Sequence, residues 1–217
     1  MPSQFIPVAE QSRLIVDIGR QVLSTACGQA AAWHRQGYPV EMAVNVSARQ
    51  IDDLGFEETV RQALEESGLD PRFLILEITE TTLMRNPERV SIRLGQLKQL
   101  GIRLSVDDFG TGYSSLAYLR QFPMDALKID RSFITGLAKS SEARALVHSL
   151  IQLGKGLHLD IVAEGIEHDD QLTQLKVESC DHGQGFLLAR PLKTQAATRF
   201  LAARAGCPSP GLTSASA

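Results

Sequence analysis

Apolar residues along the chain follow two alternating rhythms. Leu14, Ile15, Ile18, Val22 and Leu23 recur at helical spacing, which predicts a long amphipathic helix over roughly Ser12 to Gln36, closed by Gly37. The β-rich run Val40–Val46 follows, then a helix over Phe56–Ser67 stopped by Gly68, and a second β run at Phe73–Ile78. Asn86-Pro87 reads as a helix cap and first helical residue, and the helix they open runs to Leu100, with Gly101 behind it. The rhythm repeats: strand Ile102–Val106, a Gly-rich loop with a short helix near Ser115–Gln121, strand Ala126–Ile129, and a helix from the cap Ser140 to about Lys155. Strand Ile161–Ala163, helix Asp169–Ser179, strand Phe186–Leu188 and helix Thr194–Ala205 complete it, before a Pro/Ser/Gly-rich tail expected to be disordered.

Six strand–helix units in strict alternation predict an α/β fold with a parallel sheet, either open or closed as a barrel. The first helix has no strand before it. Six units behind an orphan helix fit a modified (β/α)₈ barrel of the TIM type that lacks its first strands, with residues 1–206 as one domain incomplete at its N-terminus and 207–217 as the tail.

Polar residues stand where each strand ends: Asn45, Glu77, the pair Asp107-Asp108, Lys128, Glu164 and Gln184. In a parallel barrel those ends converge on one mouth, where barrel enzymes carry their chemistry. One carboxylate at a strand end is ordinarily a helix cap or an ion-pair partner. Lys128 alone could pair with Asp130 or Asp108, Asn45 could turn the chain, and Gln184 could be a plain loop residue. Together they form a cluster that cannot stand unaided, because two carboxylates about 4 Å apart repel by roughly 4 kcal/mol at an effective dielectric near 20. An oxygen-rich set without Cys or His suits hard cations such as Mg²⁺ or Mn²⁺. Adjacent Asp107 and Asp108 could bridge or flank two of them, the clamp used for attack of water on a phosphodiester, with Lys128 positioning or acidifying that water or offsetting charge on the phosphate. The Asp108-Phe109-Gly110 triplet resembles the protein-kinase motif, but the kinase nucleotide loop and catalytic loop are missing.

Composition narrows the setting. The 217 residues carry a net charge of −3, with 43% hydrophobic and 22% charged residues, which fits a folded domain and argues against nucleic acid as a partner. Three widely spaced cysteines form no Cys-x-x-Cys pair, which favours a reducing, cytoplasmic setting. No apolar run is long enough to cross a bilayer, and MPSQFIPVAEQSR does not resemble a signal peptide.

The motifs NVSARQ, LEITET, DDFGTGYSSL, LKIDRSFI, VAEGIE and CDHGQGFLLARPL, in this order, resemble the EAL domain of bacterial cyclic di-GMP phosphodiesterases. The resemblance runs from Phe5 to about Leu192 and implies a modified (β/α)₈ barrel that hydrolyses cyclic di-GMP to linear pGpG with Mg²⁺ or Mn²⁺. By motif, Asn45, Glu77 and Asp107 would hold one metal, and Asp107 with Asp108 would serve the second. Glu164 would lie near the metals or their water, and Lys128 would orient the nucleophilic water. Gln184 would sit on the substrate side and Arg190 beside the pocket, while Glu80 would anchor the Gly-rich loop that couples dimerisation to the site. A homodimer and an upstream sensory or cyclase domain are implied in the same way.

The departures are His168, where the family often has Thr, and the absence of any Glu-Ala-Leu tripeptide. That motif, with its metal-ligating Glu and a substrate-holding Arg, is expected upstream of Met1. Two open sheet edges and one lost ligand lead us to expect poor activity and marginal solubility of this polypeptide alone. A catalytically inactive module that binds cyclic di-GMP or a protein is the alternative, and an enolate-forming barrel enzyme a remoter one.

Overall fold

The computed structural model describes residues 2–112, 116–137 and 140–204. The tail expected at 207–217 and the start of the short helix expected at Ser115 lie outside them. The chain divides into two compact units, residues 1–104 with 115–123 and residues 105–114 with 124–217.

The first unit opens with helices α1 (Pro2–Gln11) and α2 (Leu14–Arg35). Arg13 between them adopts φ 63, which ends one helix and starts the next. Strand β1 (Met42–Asn45) leads through α3 (Ala48–Asp52) to α4 (Phe56–Ser67), and β2 (Leu74–Thr79) leads through α5 (Glu80–Leu83) to α6 (Pro87–Gln99). β1 and β2 pair in parallel, with Asn45 opposite Glu77. Leu23 and Cys27 of α2, Val60 of α4 and Leu74, Leu76 and Ile78 of β2 are almost entirely buried, and α2 packs on α4 and β1. This is the expected consequence of the apolar stripe on α2.

The second unit takes residues 105–109 of β3 (Arg103–Phe109), while α7 (Leu116–Leu119) belongs to the first. It continues with β4 (Ala126–Ile129), α8 (Arg131–Thr135), α9 (Ser141–Gly156), β5 (Asp160–Ala163), α10 (Asp169–Val177), β6 (His182–Gly183) and α11 (Thr194–Arg204). Strands β3, β4, β5 and β6 pair in parallel in chain order. All four residues of β4 are buried, and α9 lays Val147 and Ile151 over β4 and β5. Strand–helix alternation with parallel pairing is the expected α/β class.

Two details differ from the sequence reading. Phe186–Leu188 is a turn rather than a strand, and the amide of Leu188 donates to the carbonyl of Gly185 at 3.0 Å. The last strand is instead the two-residue β6, whose sequence has no apolar alternation to reveal it. Short helices directly behind strands were also not foreseen. Ser47, Thr79 and Asp130 each end a strand segment and accept a backbone N–H two or three residues on, which folds the chain into one helical turn. Among the described residues no helix is long and apolar enough to cross a membrane.

Candidate active site

In a regular strand, neighbouring side chains point to opposite faces, so Asp107 and Asp108 could not serve one site. β3 breaks that rule. Val106 stands opposite Leu127 and Phe109 opposite Ile129, so the two aspartates share the space opposite the single residue Lys128. This is a β-bulge. Asp108 takes the left-handed backbone, φ 54, a conformation that Asp and Asn tolerate better than most residues. The bulge brings both aspartates to one side, where one oxygen each from Asp107, Asp108 and Glu164 lies within 4.8 Å of the others.

Lys128 comes from the wholly buried strand β4. Its Nζ lies 2.6 Å from Glu164 Oε1 and 3.0 Å from Asp107 Oδ1. Glu164 directly follows β5, and its amide prolongs the ladder by donating to the carbonyl of Ile129. Asp107 Oδ1 is buried and, although close to the ammonium, accepts no hydrogen bond. Three carboxylates therefore face one ammonium, a negative excess that burial makes costly. The strain is visible at Asp108. Its carboxyl is held above the usual carboxylate range, first by burial and then by the negative charges of Asp107 and Asp130, with Lys128 pulling the other way.

A buried oxygen with an unused lone pair, in an all-oxygen donor set with excess negative charge, fits a hard divalent cation. Asp107, Asp108 and Glu164 are the residues of this unit that could hold one. Cys27 and Cys180 could not take part as nucleophiles, because both are buried and burial pushes each thiol up to about 11.

Gln184 follows β6 directly, and its amide donates to the carbonyl of Ala163 at 2.8 Å. With Glu164, Arg131, Glu167, Phe186 and Arg190 it lines a cavity of about 240 Å³. The Arg190 guanidinium lies over the Phe186 ring, 4.8 Å from its centroid. Glu164, Gln184 and Arg190, which the sequence reading singled out separately, thus share one pocket that adjoins the carboxylate cluster through Glu164. In the first unit Asn45 and Glu77 end β1 and β2 in register, Asn45 exposed and Glu77 buried, and Glu80 opens α5 almost completely buried.

Sequence reasoning missed Phe186, which it placed in a strand, and the pair of Arg131 with Glu167 across the pocket, 3.8 Å apart. Half-exposed Phe186 in GQGFLL gave a weak signal: an aromatic residue directly behind a Gly-flanked amide. Nothing in the sequence marks the bulge except the doubled aspartate.

A family model described as "EAL domain" matches residues 1–191. Over 195 residues the chain is 46% identical to the bifunctional diguanylate cyclase/cyclic di-GMP phosphodiesterase MucR of Pseudomonas aeruginosa, covering 89% of this chain and 28% of that protein. Over 203 residues it is 42% identical to the cyclic di-GMP phosphodiesterase NbdA of the same species, covering 93% and 26%. The chain thus spans roughly a quarter of the length of these curated relatives. Among solved structures it is similar to the PaMucR phosphodiesterase in complex with c-di-GMP, with a TM-score of 0.87, 45% identity, and coverage of 91% of this chain and 80% of that one. The EAL domain of Mycobacterium smegmatis DcpA aligns with a TM-score of 0.82 and 36% identity, covering 87% and 86%.

Proposed function

The chain belongs to the EAL domain family, and from that premise we propose that it acts as a metal-dependent phosphodiesterase that opens cyclic di-GMP to linear pGpG. The observation that carries this reading is the meeting of Asp107, Asp108 and Glu164 around Lys128. Mg²⁺ or Mn²⁺ bound there would offset the carboxylate charge and polarise the phosphodiester and the attacking water. The chain's own residues then divide the work. Asp107 and Asp108 would hold the cations from the bulge.

Lys128, fixed between Asp107 and Glu164, donates a hydrogen bond to the water and turns its lone pair toward phosphorus. Glu164 accepts the proton that the water loses. A new P–O bond forms as the bond to one ribose O3′ breaks, and that oxygen takes up a proton, which leaves a linear dinucleotide with a 5′-phosphate. Gln184, Phe186 and Arg190 line the side from which the dinucleotide enters, with Arg190 available to a phosphate and Phe186 to a base.

The same reading extends to a wider setting, in which the domain works behind a sensory or cyclase domain, as the bifunctional name of MucR supports, and pairs with a second copy. The direct experiment is chromatography of products after incubation with cyclic di-GMP and Mn²⁺. Appearance of pGpG that EDTA abolishes supports the proposal. Binding of the intact dinucleotide without a product would instead identify a non-hydrolytic module.

A further inference from the structure

The two carboxylate-bearing loops of the second unit share a feature that the reaction chemistry leaves unexplained. Gly110 lies two residues behind Asp108 and has φ +95; a Cβ there would stand 2.8 Å from Cε2 and Cζ of Phe133. Gly165 directly follows Glu164 and has φ +70; a Cβ there would stand 2.5 Å from Cβ of Arg131 and 2.7 Å from its Cγ. Both intruding side chains come from α8, the single turn that begins three residues after Lys128. This turn is itself held at both ends. Asp130 Oδ1 accepts from the amide of Ser132 at 2.9 Å, and the carbonyl of the fully buried Ile134 accepts from Nε2 of the buried Gln171 on α10 at 3.2 Å.

We propose that α8 is the positioning element of the carboxylate cluster: the Phe133 ring against Gly110 and the Arg131 methylenes against Gly165 fix the loops that carry Asp107, Asp108 and Glu164. The metal-holding consequence rests on the reading given under Proposed function; the mechanical one does not. A glycine has no side chain of its own with which to pack, so its position is set by what presses on it. At Gly110 that is the Cε2–Cζ edge of an aromatic ring, and at Gly165 an aliphatic stem, so one rigid turn fixes the separation between the bulge and Glu164. Lys128 leads into the same turn, which ties the ammonium to the same reference. Outer residues that orient ligands in this way typically govern metal affinity by about 10–100-fold when removed.

The test compares F133A with F133L, which keeps much of the bulk, and with L137A, which opens the core next to α8 at a fully buried residue that is not among the atoms nearest Gly110. In metal-free protein, amide exchange over residues 107–112 is expected to quicken in F133A and to return toward the wild-type rate in F133L. Calorimetric titration with Mn²⁺ is expected to show an affinity about tenfold weaker in F133A, largely recovered in F133L. L137A is expected to lower the melting temperature with Mn²⁺ affinity unchanged. R131A and R131Q form the parallel pair for residues 162–167, with Gln keeping the inner methylenes. Unchanged exchange in F133A overturns the proposal, as does an L137A affinity loss equal to that of F133A. Faster exchange in F133A with no Mn²⁺ binding by the wild type upholds the mechanical role and overturns the metal reading alone, and that pattern separates the two failures.

Discussion

At Asp108 two demands oppose one another. Burial and the charges of Asp107 and Asp130 raise its carboxyl above the ordinary range. The unfolded chain, with a value near 3.9, then binds fewer protons than the folded one, so the metal-free protein loses stability as pH climbs from about 4 through the raised value. Asp108→Asn removes the charge and keeps a residue that suits φ 54. It is expected to raise the neutral-pH melting temperature of the metal-free chain by a few degrees, to flatten its pH dependence, and to weaken Mn²⁺ binding. Calorimetric scans between pH 4 and 8 check this, and a lower melting point in the variant would count against it. Lys128 should behave in the opposite sense. Lys128→Met leaves Asp107 and Glu164 without their ammonium, an expected cost of about 3 kcal/mol in urea unfolding without metal. Mn²⁺ should recover part of that loss, and a variant as stable as the wild type without metal would show that the pair contributes little. These residues were legible in the sequence because a polar side chain at the end of an apolar strand is conspicuous. Phe186 was not, because an aromatic residue beside two leucines reads as core.

Elements were legible in proportion to their periodicity. The helices Phe56–Ser67 and Pro87–Gln99 and the strand Ala126–Ile129 fall where hydrophobic spacing and caps put them. The failures have physical causes. Phe186–Leu188 is apolar enough for a strand, yet Gly185 turns the chain before a ladder can form. The two-residue β6 carries no pattern at all. The bulge in β3 is a register shift between strands, invisible to any reading of one strand alone, although it decides whether adjacent aspartates can cooperate. The helical turn α8 is too short for helical periodicity to register. β4 supports a test at this scale. Leu127 is fully buried beside Lys128, and Leu127→Ala is expected to cost about 2–5 kcal/mol in urea unfolding. Because Leu127 and Lys128 point to opposite faces of the strand, the variant should keep wild-type Mn²⁺ affinity while folded. A large affinity loss would mean that the site depends on the packing behind β4 more than on its own charges.

For the molecule as a whole, strict alternation of strand and helix identifies the fold class, and the ordered motifs identify the family. What the sequence could not supply was the three-dimensional reason for its own motifs: why two aspartates are adjacent, why glycines follow the clustered carboxylates, and why a lysine lies in a wholly buried strand. A ligand that binds only the folded chain also stabilises it, by about 2.7 kcal/mol at a hundredfold excess over its dissociation constant. The central claim, that Asp107, Asp108 and Glu164 form a divalent-cation site with Lys128, is tested most directly by titrating Mn²⁺ into the wild-type chain and into Asp107→Asn and following the free ion by electron paramagnetic resonance. We expect saturable uptake by the wild type and at least a tenfold loss of affinity in the variant. Equal uptake by both, or none by the wild type, would contradict the account.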